Sequence, residues 1–149
     1  MVIIDSEGIG AFNEDQNHDT RIFLLAVLLS SYFIYNSMGT IDENALQNLS
    51  LIINLSKQLE VGGQKAEDVD PDAVSQYFPS FLWVVRDFAL QLQDQQRNEI
   101  SPKQYLENAL KEQKGTSDAV EKKNKIRKLI SHYFNEKDCF TMVRPTESE

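Results

Sequence analysis

Two short segments hold the residue types from which chemistry could be built. Val2-Ile3-Ile4-Asp5-Ser6-Glu7-Gly8 is an apolar run ending in an aspartate, with a glycine three residues later. Phe81-Leu82-Trp83-Val84-Val85-Arg86-Asp87 repeats that form much further along the chain. In an open α/β sheet, ligands gather at the carboxyl ends of the strands, so each segment can present a carboxylate to a ligand. The Asp-x-x-Gly spacing is that of a nucleoside-triphosphate switch. There, Asp5 suits a Mg²⁺-bound water, and Gly8 would let a main-chain N–H approach the γ-phosphate closely. The carboxylate of Asp87 suits the donor edge of guanine, accepting from the ring N–H and the exocyclic amine, a pair that adenine lacks. Arg86 can cover the base face or brace the loop, since guanidinium planes stack well. Plainer readings stand beside these. Asp5 can be an N-cap or turn residue, Gly8 a tight turn, Glu7 a solvated loop residue, and Arg86–Asp87 a strand-end ion pair.

The elements that must position these groups follow from periodicity. Val2–Asp5 reads as a buried parallel strand, followed by a polar loop over residues 6–17. Asp19–Leu29 reads as a helix with an acidic start that suits its dipole, and Ser31–Tyr35 as a second strand. Thr40-x-x-Glu43 reads as a capping box before a helix whose Ala45, Leu49, Ile52, Ile53 and Ser56 share one face. Residues 60–76 read as an acidic surface loop, Phe81–Val85 as a strand and Phe88–Ile100 as a long exposed loop. Ser101-Pro102-Lys103-Gln104 is a sharp helix start, with Gly115 as the expected end of that helix. Ile126, Leu129, Ile130, Tyr133 and Phe134 form the apolar stripe of the next helix, and Phe140–Val143 reads as a final strand. Alternating strands and helices argue for an α/β fold with a mainly parallel, doubly wound sheet.

Composition excludes several classes. The chain has 149 residues, a net charge of −8, 41% hydrophobic and 26% charged residues, as expected of one globular domain with a real core. An acidic chain is a poor general surface for nucleic acid or anionic membrane. The single Cys139 rules out an intramolecular disulfide and fits a reducing, cytoplasmic compartment. No basic n-region opens the chain, and the apolar stretch from Ile22 to Tyr35 is short for a transmembrane span, which needs about 20 residues. His18 and His132 are isolated, with no zinc-like spacing around them.

The stretch between the two carboxylates identifies a family. Asp5-Ser6-Glu7-Gly8-Ile9-Gly10, Asp19-Thr20-Arg21-Ile22-Phe23-Leu24-Leu25-Ala26-Val27-Leu28-Leu29-Ser30-Ser31, Tyr35-Asn36-Ser37-Met38-Gly39-Thr40-Ile41, Arg86-Asp87-Phe88 and Cys139-Phe140-Thr141-Met142-Val143-Arg144-Pro145 together resemble the GTPase domain of guanylate-binding proteins. These are interferon-inducible large GTPases of the dynamin superfamily, and atlastins are a more distant likeness. The resemblance runs from Val2 to Pro145. It implies a P-loop GTPase-like doubly wound sheet with helices on both faces, GTP or GDP as ligand with Mg²⁺, and homo- or hetero-dimers formed through GTPase domains. It also implies that Asp5 holds Mg²⁺ through a water, that Glu7 helps to organise the attacking water, and that Arg86–Asp87 reads guanine. Two departures stand out. Ser6 replaces the family's usual Thr, and Val84 stands where the family often has Thr.

A P-loop, Gly-x-x-x-x-Gly-Lys-[Ser/Thr], does not occur at any of the six glycines. The resemblance therefore covers the carboxyl-terminal part of a GTPase domain, residues 1–145, with a tail at 146–149 and without the N-terminal P-loop part. Positioning and charge neutralisation make up most of phosphoryl-transfer catalysis, so these residues alone are expected to bind GTP weakly and not to turn it over. A non-catalytic module that pairs with full-length relatives is the alternative. In the implied topology the P-loop strand lies between Val2–Asp5 and Ser31–Tyr35. Without it, the two neighbours would show unpaired edges, and Val2–Asp5 would be the least anchored strand of a marginally stable chain.

Overall fold

The computed structural model describes residues 1–6, 22, 25–56, 60–61, 64–65, 75 and 78–145. Its elements, in chain order, are β1 (Tyr32–Met38), α1 (Glu43–Ser56), β2 (Glu60–Val61), β3 (Gln64–Lys65), β4 (Ser80–Arg86), α2 (Pro102–Ala109), α3 (Asp118–Tyr133) and β5 (Lys137–Thr141). A helical stretch at residues 25–29 precedes β1. β1, β4 and β5 form a parallel sheet in the order β1-β4-β5, and β2 and β3 pair as a small antiparallel ribbon. The parallel sheet with helical crossovers bears out the α/β reading.

Strand alternation decides which side chains enter the core. Phe33 on β1 pairs in register with Phe81 on β4, and Trp83 on β4 pairs with Cys139 on β5. These residues are all buried, together with Val85, Leu46 and Leu49 of α1, Leu106 of α2 and Ile130 and Tyr133 of α3. Phe134 lies against both Phe33 and Phe81, with ring centroids 6.4 and 4.5 Å apart. The opposite parity of the same strands is open. Tyr32, Ile34, Met38 and Phe140 are each more than half exposed.

Local chemistry sets the helix boundaries. At α2 the expected capping box is complete. The Gln104 N–H donates to Ser101 Oγ at 3.1 Å, and the Ser101 N–H donates to Gln104 Oε1 at 2.8 Å. At α3, Ser117 caps the N-terminus, with Asp118 and Glu121 in the first turn on the favourable side of the helix dipole. The stripe read from Ile126 to Phe134 faces the core, with Ile130 and Phe134 fully buried.

Several expectations are corrected. Val2–Asp5 is not a buried strand: residues 1–6 carry no strand, and Val2, Ile3 and Ile4 are 87%, 80% and 68% exposed. A strand exists only where a neighbour accepts its ladder. β1 has β4 on one side and no described strand on the other. Thr40 does not cap α1; Asp42 does, accepting from the Ala45 N–H at 2.8 Å, because its short carboxylate reaches the third residue on. α2 ends at Ala109, before Gly115. Gly115 instead takes φ 139° and lies against Val120. β1 runs three residues beyond Tyr35, and β5 is shifted toward the N-terminus from Phe140–Val143 to Lys137–Thr141. Residues 60–76 include the β2–β3 ribbon. The 88–100 segment is mostly exposed, as expected, but is ordered by Asp94. Its carboxylate accepts from the Gln96 and Asn98 N–H groups, both at 2.8 Å, and Phe88 is buried. Of the expected helix Asp19–Leu29, residues 22 and 25–29 are described and are helical, and the rest lie outside the described residues.

Candidate functional site

The parallel strands β1, β4 and β5 all end at one edge, the position at which such sheets bind ligands. Arg86 is the last residue of β4, and Asp87 follows it at φ 53°. An aspartate tolerates this left-handed conformation better than most residues, and here the backbone around it is clamped from both sides. On the β1 side the Gly39 N–H donates to Arg86 O at 2.7 Å. Gly39 itself has φ 85°, a turn conformation that glycine adopts without strain. On the β5 side the Met142 N–H donates to Val85 O at 2.8 Å and the Phe88 N–H donates to Met142 O at 2.9 Å. Asp87 is thus held on a turn fixed by three main-chain bonds.

Side chains add to the clamp. Trp83 Nε1 donates to Ser37 Oγ at 2.8 Å, and Arg86 Nε donates to Asn36 Oδ1 at 2.8 Å. Both bonds cross from β4 to β1, one on each face of the sheet. Tyr105 of α2 pins the two turns from below. Its hydroxyl accepts from the Ile41 N–H at 3.1 Å, and its ring meets Phe88 edge-on at 5.4 Å. Burial raises the Tyr105 hydroxyl above the ordinary tyrosine range. Asn36, Ser37, Gly39 and Tyr105 were not singled out from sequence. Alternation along β1 places Asn36 and Ser37 on opposite faces, but only the register with β4 shows which partners they meet.

The structure brings Arg86 and Asp87 together on this edge. Asp5 lies in the exposed stretch 1–6 and, among the described residues, makes no hydrogen bond to them. Glu7 and Gly8 lie outside the described residues. Among the described residues no group of three or more His, Cys, Asp or Glu side chains is placed to hold a metal ion. A lone exposed carboxylate at Asp5 fits an ion that arrives with a nucleotide, because Mg²⁺ keeps its waters and takes one or two carboxylates plus phosphate oxygens.

Cys139 packs in the core of β5. Burial and the neighbouring Asp138 push its thiol up to about 11, which suits a small apolar packing residue and not a nucleophile. His132 sits beside Tyr133 on α3, ring centroids 5.4 Å apart, as a packing residue. No described helix is long and apolar enough to cross a membrane. A cavity of about 480 Å³ lined by Tyr32, Ser80, Lys103, Glu107 and Lys137 opens at the amino ends of the strands, far from Asp87 along the sheet.

All 149 residues match the family model described as "Guanylate-binding protein, N-terminal domain". The chain belongs to the guanylate-binding protein family. It is 41% identical over 152 residues to mouse guanylate-binding protein 7, covering 100% of this chain and 24% of that protein. Against human guanylate-binding protein 7 the identity is 39% over 148 residues, 97% of this chain and 23% of the relative. Against human guanylate-binding protein 1 it is 38% over 151 residues, 97% and 25%. The chain therefore spans about a quarter of the length of the curated relatives it matches.

Proposed function

We propose that this chain supplies the guanine-reading part of a GTP-binding, GTP-hydrolysing site. Asp87 takes the donor edge of guanine, and Arg86 beside it covers or braces the base. Asp5 would hold Mg²⁺ through a water and Gly8 would meet the γ-phosphate. Glu7 would orient the attacking water. The magnesium ion would supply charge neutralisation at the phosphates. The observation that carries this reading is the Arg86–Asp87–Phe88 turn, bonded to β1 and to the end of β5, with Asp87 already in its left-handed conformation. Preorganised groups cost little to engage when a ligand arrives.

The sequence holds no phosphate-cradling P-loop, so the affinity of the 149 residues for Mg²⁺–GTP is expected to be weaker than micromolar. Calorimetric titration measures it, and a micromolar or tighter constant would show the phosphate side to be complete without that motif. Base choice is the sharper test. Asp87→Asn should lower the preference for guanine over adenine nucleotides by roughly tenfold, the worth of one well-placed readout pair. An unchanged preference would return Asp87 to the role of a strand-end carboxylate.

A second reading draws on the open sheet face. Ile34, Met38 and Phe140, all more than half exposed, form an apolar surface of the sort that pairs with another protein. On that reading the chain acts as a non-catalytic module that associates with full-length relatives, directly or as a dimer of GTPase-type domains. Concentration-dependent sedimentation is its signature.

A further inference from the structure

Arg86 is a long, exposed side chain at a strand end, where many rotamers are open to it. Its guanidinium nevertheless has a fixed anchor. Asn36 lies on β1 in register with Val84, and Met38 in register with Arg86. Parallel pairing puts Asn36 diagonally across from Arg86 on the open face of the sheet. Val84 offers Asn36 no polar group, so the amide oxygen is left to Arg86 Nε, which it accepts at 2.8 Å. That bond uses the Nε edge of the guanidinium. Its two Nη groups make no hydrogen bond among the described residues.

We propose that Asn36 is a specificity-positioning residue: it fixes the guanidinium of Arg86 beside Asp87, so that the pair is set for guanine before any nucleotide arrives. The proposal rests on the guanine reading above and adds a residue to it. Asn36 itself does not touch the base; it acts through Arg86. An arginine anchored at Nε keeps its plane and its free Nη edge in one orientation. An unanchored arginine would have to be ordered by the ligand, and that cost falls on the base that engages the Arg86–Asp87 pair and not on one that does not.

The test uses the 149-residue chain and nuclear magnetic resonance titrations with GMP and AMP at millimolar concentration. Three resonances report: Arg86 Nε–H, the Asp87 amide and the Trp83 indole N–H. Asn36→Leu keeps the size of the side chain and removes the acceptor. It should shift Arg86 Nε–H and leave the Trp83 indole in place, since that group bonds to Ser37. The preference for GMP over AMP should fall roughly three- to tenfold, the worth of one side-chain hydrogen bond. Asn36→Asp keeps the acceptor and should restore both the Arg86 signal and the preference. In the background of Arg86→Lys, which lacks the Nε–H donor, Asn36→Leu should add little. A merely structural role would add in full.

A wild-type chain that shows no preference for GMP overturns the guanine reading and this inference with it. A wild-type chain that prefers GMP, with an Asn36→Leu variant of equal preference, overturns this inference alone. If Asn36→Leu moves the Trp83 indole, the sheet itself has shifted, and the Arg86→Lys pair of variants decides the question. Additive losses there overturn the positioning role, and non-additive losses support it.

Discussion

Residues 1–6 and the end of β4 have the same form in sequence and opposite fates in structure. Each is an apolar run that ends in aspartate. Phe81–Val85 becomes the central strand of the sheet, with β1 on one side and β5 on the other. Asp87 then stands on a turn that both neighbours hold. Val2–Ile4 lies exposed and joins no described strand. The difference teaches that apolar character does not make a strand. A backbone needs partners for its N–H and C=O groups, and a side chain needs a facing layer before burial is worth anything. β4 has both, and residues 1–6 have neither among the described residues.

The largest effect should come from breaking the better-supported region. Phe81 is 1% exposed, pairs in register with Phe33 and Lys137, and stacks against Phe134 at 4.5 Å. Phe81→Ala removes a large side chain from a site that cannot collapse around the loss. It should cost about 3–5 kcal/mol, a large part of the roughly 5–15 kcal/mol that a domain has in total. Urea unfolding followed by Trp83 fluorescence measures it. A loss under about 1 kcal/mol would mean that this core is loosely packed.

The same contrast explains what could be read from sequence. Local signals were legible because their partners are near in the chain. The Ser101–Gln104 capping box, the α3 stripe and the Arg86–Asp87 strand end all lie within a few residues of the features that define them. Long-range pairings were not. Glu43 looked like the acidic member of a box with Thr40. Its carboxylate instead meets Arg127 of α3, with Nη1 at 3.2 Å from Oε2 and Nη2 on Oε1. Asp42 took over the cap. Asn36 and Ser37 gained meaning only from the β1–β4 register. Nothing near Tyr105 in the chain shows that its hydroxyl ties α2 to the turn after β1. For Val2–Asp5 the composition of a strand was visible, and so was its weak anchoring; that these residues carry no strand at all was not.

An intermediate effect is expected at that Glu43–Arg127 contact. Arg127 is 5% exposed and Glu43 38%. Arg127 also donates through Nε to Ala109 O at 3.0 Å, so one guanidinium joins α1, α2 and α3. The hydrogen bond from Arg127 holds the Glu43 carboxyl below its ordinary value, with burial pulling the other way. The folded value therefore lies under the unfolded one. Stability from this group is complete above the unfolded carboxylate range near about 4.3 and is lost as pH falls through the folded value. Glu43→Gln keeps an acceptor and drops the charge. It should cost about 1 kcal/mol at neutral pH, after allowing for solvent screening of the partly exposed partner. It should also flatten the acid limb of a plot of melting temperature against pH. Parallel acid limbs in the two proteins would show that other carboxylates set the acid response.

The smallest effect is expected in the unsupported region, where it is also the most telling. Ile3 is 80% exposed, so replacing it with serine removes no buried area and leaves no cavity. Surface changes of this kind fall within about 0.5 kcal/mol of zero. Ile3→Ser should therefore leave the urea midpoint where it was, while Phe81→Ala moves it far. Amide exchange separates the two regions in the unmutated chain. The amides of β4 should exchange only on global opening, and those of residues 2–6 at close to the rate of free peptide. A loss of more than about 1 kcal/mol in Ile3→Ser, or protected amides at Ile3 and Ile4, would show that the stretch finds a ladder in solution. The edge of β1 away from β4 is where such a ladder would form. Pairing there would carry Asp5 toward the carboxyl ends of the strands, where Asp87 already waits.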